Sequence, residues 1–180
     1  NTNKLASILN TKSHPIDAPK YRSKCKSMLD RDGVLVLNNF LLKDSIRSIL
    51  EEAKQQEKLA YYCVNEHNVY LDPNDNNFPK SHPRNRTVIS SKGCITDDQV
   101  PKDSALRALY DSDDFKEFLC SVLNEESLYK YDDNLSSINI HFAKTGQELG
   151  WHFDNSSFAI TLLIQKPEAG GDFEYIRDFR

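Results

Sequence analysis

His152 and Asp154 stand two apart in GWHFDNSSFAITLLIQ, residues 150–165, just ahead of an apolar run. In extended backbone, residues i and i+2 point to the same side. An imidazole and a carboxylate therefore leave the chain together, while Trp151 and Phe153 face the other way. Two such groups can take adjacent positions on one metal ion. Two histidines and one carboxylate on one octahedral face, with three positions left open, form the ligand set of iron(II) oxygenases. Zinc accepts the same donors, but structural zinc fills all four of its positions with protein. Read alone, His-x-Asp also fits a surface histidine beside a solvated aspartate. Three features favour the ligand pair: it opens a strand, it follows Gly150 and Trp151, and the strand upstream presents Asn139 and His141 on its polar side.

Strands must carry that pair. From Leu135 the hydrophobic period is two, with Ile138, Ile140 and Phe142 alternating with Ser137, Asn139 and His141. A turn is expected around Gly146. Residues 151–154 then continue extended, 158–165 alternate again, and a strand is expected to start at FEYI after the KPEAGGD turn. Helices come earlier. Tyr21, Cys25, Met28 and Leu29 fall at helical spacing, with Gly33 as the stop. GVLVLNNF reads as a buried strand over 34–37. Asp44 is placed to cap a helix whose apolar face is Ile46, Ile49, Leu50 and Ala53. Residues 61–103, rich in Asn, Asp, Pro and Ser, are expected to be an ordered loop with little regular structure that helps wall a pocket. Helix returns over 104–124, with an apolar stripe of Phe115, Phe118, Leu119, Val122 and Leu123. Helices first and antiparallel strands after predict an α+β fold.

The totals fit one domain with a real core. The 180 residues are 38% hydrophobic and 28% charged, and 23 basic against 27 acidic residues give a net charge of -4. No basic block points to nucleic acid or to an anionic membrane, and no apolar stretch approaches the ~20 residues that span a bilayer. Residues 1–19 read as a mobile or loosely docked arm and not a signal peptide, ahead of a domain over 20–180. Cys25, Cys63, Cys94 and Cys120 are far apart, which predicts reduced thiols in a cytoplasmic protein.

The joined segment LSSINIHFAKTGQELGWHFDNSSFAITLLIQKPEAGGDFEYIRD resembles the iron(II)/2-oxoglutarate-dependent oxygenases, in the branch of small amino-acid hydroxylases and related halogenases. SHPRNR and SKGCITDDQVPKDSALRALYDSDDFKEFL resemble that branch's lead-in region. The resemblance implies a double-stranded β-helix, or jelly roll, with flanking N-terminal helices. It implies Fe(II) and 2-oxoglutarate as cofactor and co-substrate, with O2 and a small, amino-acid-like molecule as substrates. His152 and Asp154 become the first two iron ligands. Halogenases of the branch lack the carboxylate because chloride takes its place, so Asp154 implies hydroxylation or a related oxidation. By the same similarity Arg86, and after it Arg84, would hold a substrate carboxylate, and Asn155 would face the substrate. Each has a plainer reading: Arg86 as a surface ion-pair partner, Asn155 as a turn former. His141 reads as a hydrogen-bonded strand histidine, His14 and His82 as loop histidines before proline, and His67 has no partner in sequence.

The family's second histidine and its 2-oxoglutarate arginine come from late strands after GGDFEY, and no histidine follows His152 here. Arg177 and Arg180 fall too early for that arginine. The expectation is the visible part of a longer jelly roll whose C-terminal strands lie beyond these residues. The alternative is a non-catalytic jelly-roll module, binding a ligand or partner, with a degenerate metal site.

Overall fold

The computed structural model describes residues 5–131, 133 and 135–178. It is an α+β structure, with four α-helices of six residues or more among the described residues and a three-stranded antiparallel sheet in the order β1-β2-β3.

Helix α1 (Pro19–Asp32) starts on a proline, whose fixed φ suits a first helical turn. It ends as expected at Gly33, which adopts a left-handed φ of 72° and donates its N–H to Leu29 O. Helix α2 (Lys43–Gln56) is capped by Leu42, not Asp44. Asp44 lies in the first turn, where its negative charge is favoured by the positive end of the helix dipole, and pairs with Arg47. The helix expected over 104–124 is two helices, α3 (Ala105–Tyr110) and α4 (Asp113–Leu123). Ser104 Oγ accepts from Leu106 N–H and Ser112 Oγ from Phe115 N–H, so each helix has its own N-cap. Phe115, Phe118 and Val122 of α4 are buried. Tyr21 of α1 stacks on Phe118 at 6.1 Å between ring centroids.

The stretch before α1 is docked, contrary to the loose arm expected. Leu5, Ile8, Leu9 and Ile16 belong to the same buried cluster as Cys25, Ile49 and Phe118. Asn10 N–H donates to Phe40 O, Leu42 N–H donates to Ile8 O, and Leu9 bridges Leu41. Buried His14 donates from Nε2 to Asn38 O and accepts at Nδ1 from the Tyr21 hydroxyl. Burial, and then neighbouring Cys25, push the Tyr21 phenol well above its usual range.

The sheet holds a second correction. Residues 61–103 contain strands β1 (Tyr61–His67) and β2 (Val88–Ile95), paired from Tyr61↔Cys94 to His67↔Val88. Their polar side chains hid them from a reading by apolar runs, yet a ladder needs only backbone partners. The connection between them is ordered by two buried asparagines. Asn68 binds Tyr70 N–H and Asp72 O. Asn85 binds Asp75 N–H, Asp75 O and Phe78 O. Strand β3 (Ile140–Phe142) pairs with β2 from Gly93↔Phe142 to Ile95↔Ile140.

Three expected strands form no ladder among the described residues: 34–37, 158–165 and the start at FEYI. Leu35 and Leu37 still pack on the core while Val36 is exposed, and Leu162 and Ile164 pack inward while Leu163 points out. The alternation is real, but these segments meet no neighbouring edge to bond with. All four cysteines are unpaired. No helix among the described residues is long and apolar enough to cross a membrane.

Ile49 is fully buried and Val36 is 65% exposed. Ile49→Ala is expected to lower the unfolding free energy by about 2–5 kcal/mol, and Val36→Ala by no more than about 0.5 kcal/mol, both measured by urea denaturation. On β3, desolvation of its ring and then the Lys92 ammonium, 3.3 Å from its Nε2, hold the His141 pKa below the ordinary histidine value. The folded state then binds this proton less readily than the unfolded chain. Stability from this site is present above about pH 6.5 and lost as pH falls through the lower folded value. His141→Gln should remove that part of the acid slope in a stability–pH profile.

Candidate metal centre

The His-x-Asp segment is held against the sheet by β2. After β3 the chain makes a turn, closed by Gln147 N–H to Lys144 O and Lys144 N–H to Gln147 Oε1, and then returns to the same edge. Ser91 N–H donates to Glu148 O at 2.7 Å, and Gly150 N–H donates to Ser90 Oγ at 2.9 Å. Gly150 lies so close that an added Cβ would stand 2.6 Å from Ile89 O. Two residues on, Phe153 N–H donates to Val69 O at 2.7 Å. His152 and Asp154 thus project where β1 ends and β2 begins.

His152 Nδ1 lies 2.7 Å from Gly150 O. A carbonyl oxygen only accepts, so Nδ1 carries the proton and Nε2 of the neutral ring offers its lone pair. Asp154 Oδ1 is 3.4 Å from that Nε2. Two ligands at about 2.0–2.2 Å from one ion lie about 2.8–3.1 Å apart when cis, so the donor atoms need close by only a few tenths of an ångström to share a cation. The His152 side chain is 31% exposed and that of Asp154 55%, which leaves the pair on an open face.

His67, without a sequence partner, stands edge-on to His152 at 6.0 Å between ring centroids. Its Nδ1 lies 2.9 Å from Asn68 O and its Nε2 2.7 Å from Ser90 Oγ, so both nitrogens are engaged. Among the described residues no group of three or more histidine, cysteine, aspartate or glutamate side chains gathers to hold a metal. The pair supplies two donors.

Arg84 approaches the site through aromatic rings. Its guanidinium lies 4.7 Å over Tyr70, and Tyr70 lies 5.3 Å from Phe153, between the two candidate ligands in sequence. Arg84 Nε is 3.3 Å from Asp75 Oδ2, but off the line that a hydrogen bond needs, so this is a charge contact alone. Arg86 is exposed and forms no ion pair among the described residues; Asn155 is exposed and follows the pair directly. The structure therefore groups His152, Asp154, His67 and Ser90, reaches Arg84 through Tyr70 and Phe153, and leaves Arg86 and Asn155 in solvent. His141 is engaged by Lys92. Sequence reasoning missed His67 and Ser90. Only the β1–β2 register, which sets His67 opposite Val88, would have found them.

The family model described as Halogenase D matches residues 18–179. The chain belongs to the halogenase D family. Membership supports an oxidative, halogenase-related enzyme and agrees with the halogenase side of the resemblance seen in the sequence. No curated protein and no solved structure matches the chain.

Gly150→Ala is expected to push the His-x-Asp segment off β2, because the added methyl meets the Ile89 carbonyl oxygen, which cannot swing away, and then the branched Val88 side chain. Iron(II) affinity measured by calorimetry should fall by about 10–100-fold. Gly146→Ala, with nothing within 4 Å of its Cβ, should leave affinity unchanged despite some backbone strain.

Proposed function

We propose that this family member is an iron(II)/2-oxoglutarate-dependent dioxygenase that hydroxylates, or otherwise oxidises, a small amino-acid-like substrate. The three strands are then part of a double-stranded β-helix flanked by the N-terminal helices. One observation carries the reading: His152 Nε2 and Asp154 Oδ1 converge to 3.4 Å, with the imidazole proton kept on the far nitrogen by Gly150 O. A lone pair and a carboxylate this close repel until a cation or a proton lies between them.

Iron(II), when bound, would supply the activation of O2 coupled to decarboxylation of 2-oxoglutarate to succinate. The chain's own part is ligand placement, charge and substrate orientation. His152 presents a fixed tautomer. Asp154 contributes the anionic donor at the position that chloride takes in the branch's halogenases, which directs the reaction toward hydroxylation. Arg86 has no acid partner among the described residues, which suits its guanidinium to two parallel hydrogen bonds to a substrate carboxylate. Arg84, braced on Tyr70 and Asp75, is the second choice, and Asn155 offers an amide beside the pair.

A non-catalytic binding module is the second reading, favoured by the lack of a third donor among the described residues. Turnover separates the two. With Fe(II), 2-oxoglutarate and a panel of free amino acids, the protein is expected to form succinate in step with an oxygenated product, and His152→Ala should form none above background. Equal rates for parent and variant would rule out the enzyme reading. With chloride present the product should gain oxygen; a chlorinated product would overturn the role given to Asp154.

A further inference from the structure

His67 and Ser90 have no role in the chemistry just described, yet they are wired to it. Four hydrogen bonds run in one direction, and the carbonyls at the two ends fix the sense of each. His67 Nδ1 faces Asn68 O at 2.9 Å and must donate to it. His67 Nε2 is then an acceptor, and the only proton between it and Ser90 Oγ, 2.7 Å away, is the serine's. With its hydroxyl proton committed to His67, Ser90 Oγ turns a lone pair to Gly150 N–H at 2.9 Å. The other side of the Gly150 residue, its carbonyl, receives the Nδ1 proton of His152 at 2.7 Å.

We infer that Ser90, oriented by His67, is a positioning residue that fixes the tautomer and ring orientation of His152 through the backbone of Gly150. The inference rests on the proposed function for the use of Nε2 as a metal ligand, but not for the hydrogen-bond chain itself. The β-sheet alone does not secure this geometry. Ser91 N–H holds Glu148, one turn of the pleat earlier, and Phe153 N–H is held after His152 by Val69. Between those anchors Ser90 is the side chain that holds Gly150 N–H, and without it the glycine is free to rotate the carbonyl away from the imidazole. His67 adds a second constraint, its ring standing at 89° to that of His152.

The test reads the tautomer directly. Long-range 15N NMR of the metal-free protein, at about pH 9 where imidazoles are neutral, should show His152 protonated on Nδ1 alone. Ser90→Ala should mix the two tautomers and weaken iron(II) binding by about 10–100-fold. Ser90→Thr, which keeps the hydroxyl, should restore both. An unchanged tautomer and affinity in Ser90→Ala would overturn the inference. So would an equal loss in Ser90→Thr, which would point to packing instead of the hydroxyl. If Ser90→Ala does not fold, His67→Phe decides: it keeps a ring beside His152 but removes the acceptor, so mixed tautomers support the chain and an unchanged tautomer overturns it. His152→Ala with undiminished iron(II) affinity would instead sink the metal reading and leave the hydrogen-bond chain standing.

Discussion

A backbone contact governs this structure: Gly150 rests against the start of β2 with no space for a Cβ, 2.6 Å from Ile89 O. Close approach of two main chains is what glycine permits and other residues prevent. Because the contact involves backbone on both sides, it fixes where the following residues leave the sheet. His152 and Asp154 inherit their direction from it. The hydrogen bonds from Ser91 to Glu148 and from Phe153 to Val69 secure the two flanks.

The rest of the molecule keeps that edge in place. β2 is the central strand, with β1 paired to it from Val88 to Cys94 on one side and β3 on the other. Ile95, at the far end of β2, is fully buried. A second glycine on the same strand, Gly93, lies under the ring of Tyr62, whose hydroxyl donates to Glu57 and whose face carries the Lys144 ammonium at 4.3 Å. The turn that interrupts the edge is thus tied down at Lys144 as well. On the helical side, α1 and α4 share an aromatic core with the N-terminal stretch, and two intramolecular amides do for the 68–87 connection what a ladder does elsewhere.

What the sequence disclosed was local. Gly33 as a helix stop, the buried stripe of α4 and the alternation at Ile138, Ile140 and Phe142 depend on neighbours a few residues away, and each reads off its spacing. The His-x-Asp pair was legible for the same reason, since two residues suffice to share a face. β1 and β2 were not legible. Strands of mixed polarity are defined by the partner edge, and their partners are each other across twenty intervening residues. The N-terminal stretch misled in a related way: Leu5, Ile8 and Leu9 look sparse until α2 and Phe40 surround them. Segment 158–165 erred in the opposite direction, with the right period but no edge to join. Ser90 has no signature at all, because a hydroxyl's worth depends on which peptide passes beside it.

The return of the chain to one edge after the turn at Gly146 has an evolutionary consequence. β3 and residues 148–150 are attached to β2 separately, on either side of the interruption. The interruption carries no register between them, and a Cβ at Gly146 would meet only open space. Lengthening or shortening that excursion leaves both anchorages intact. Descendants of this chain can therefore reshape the ground beside the histidine and aspartate by insertion, a coarse and rapid kind of change, while the direction of those two side chains is inherited unaltered.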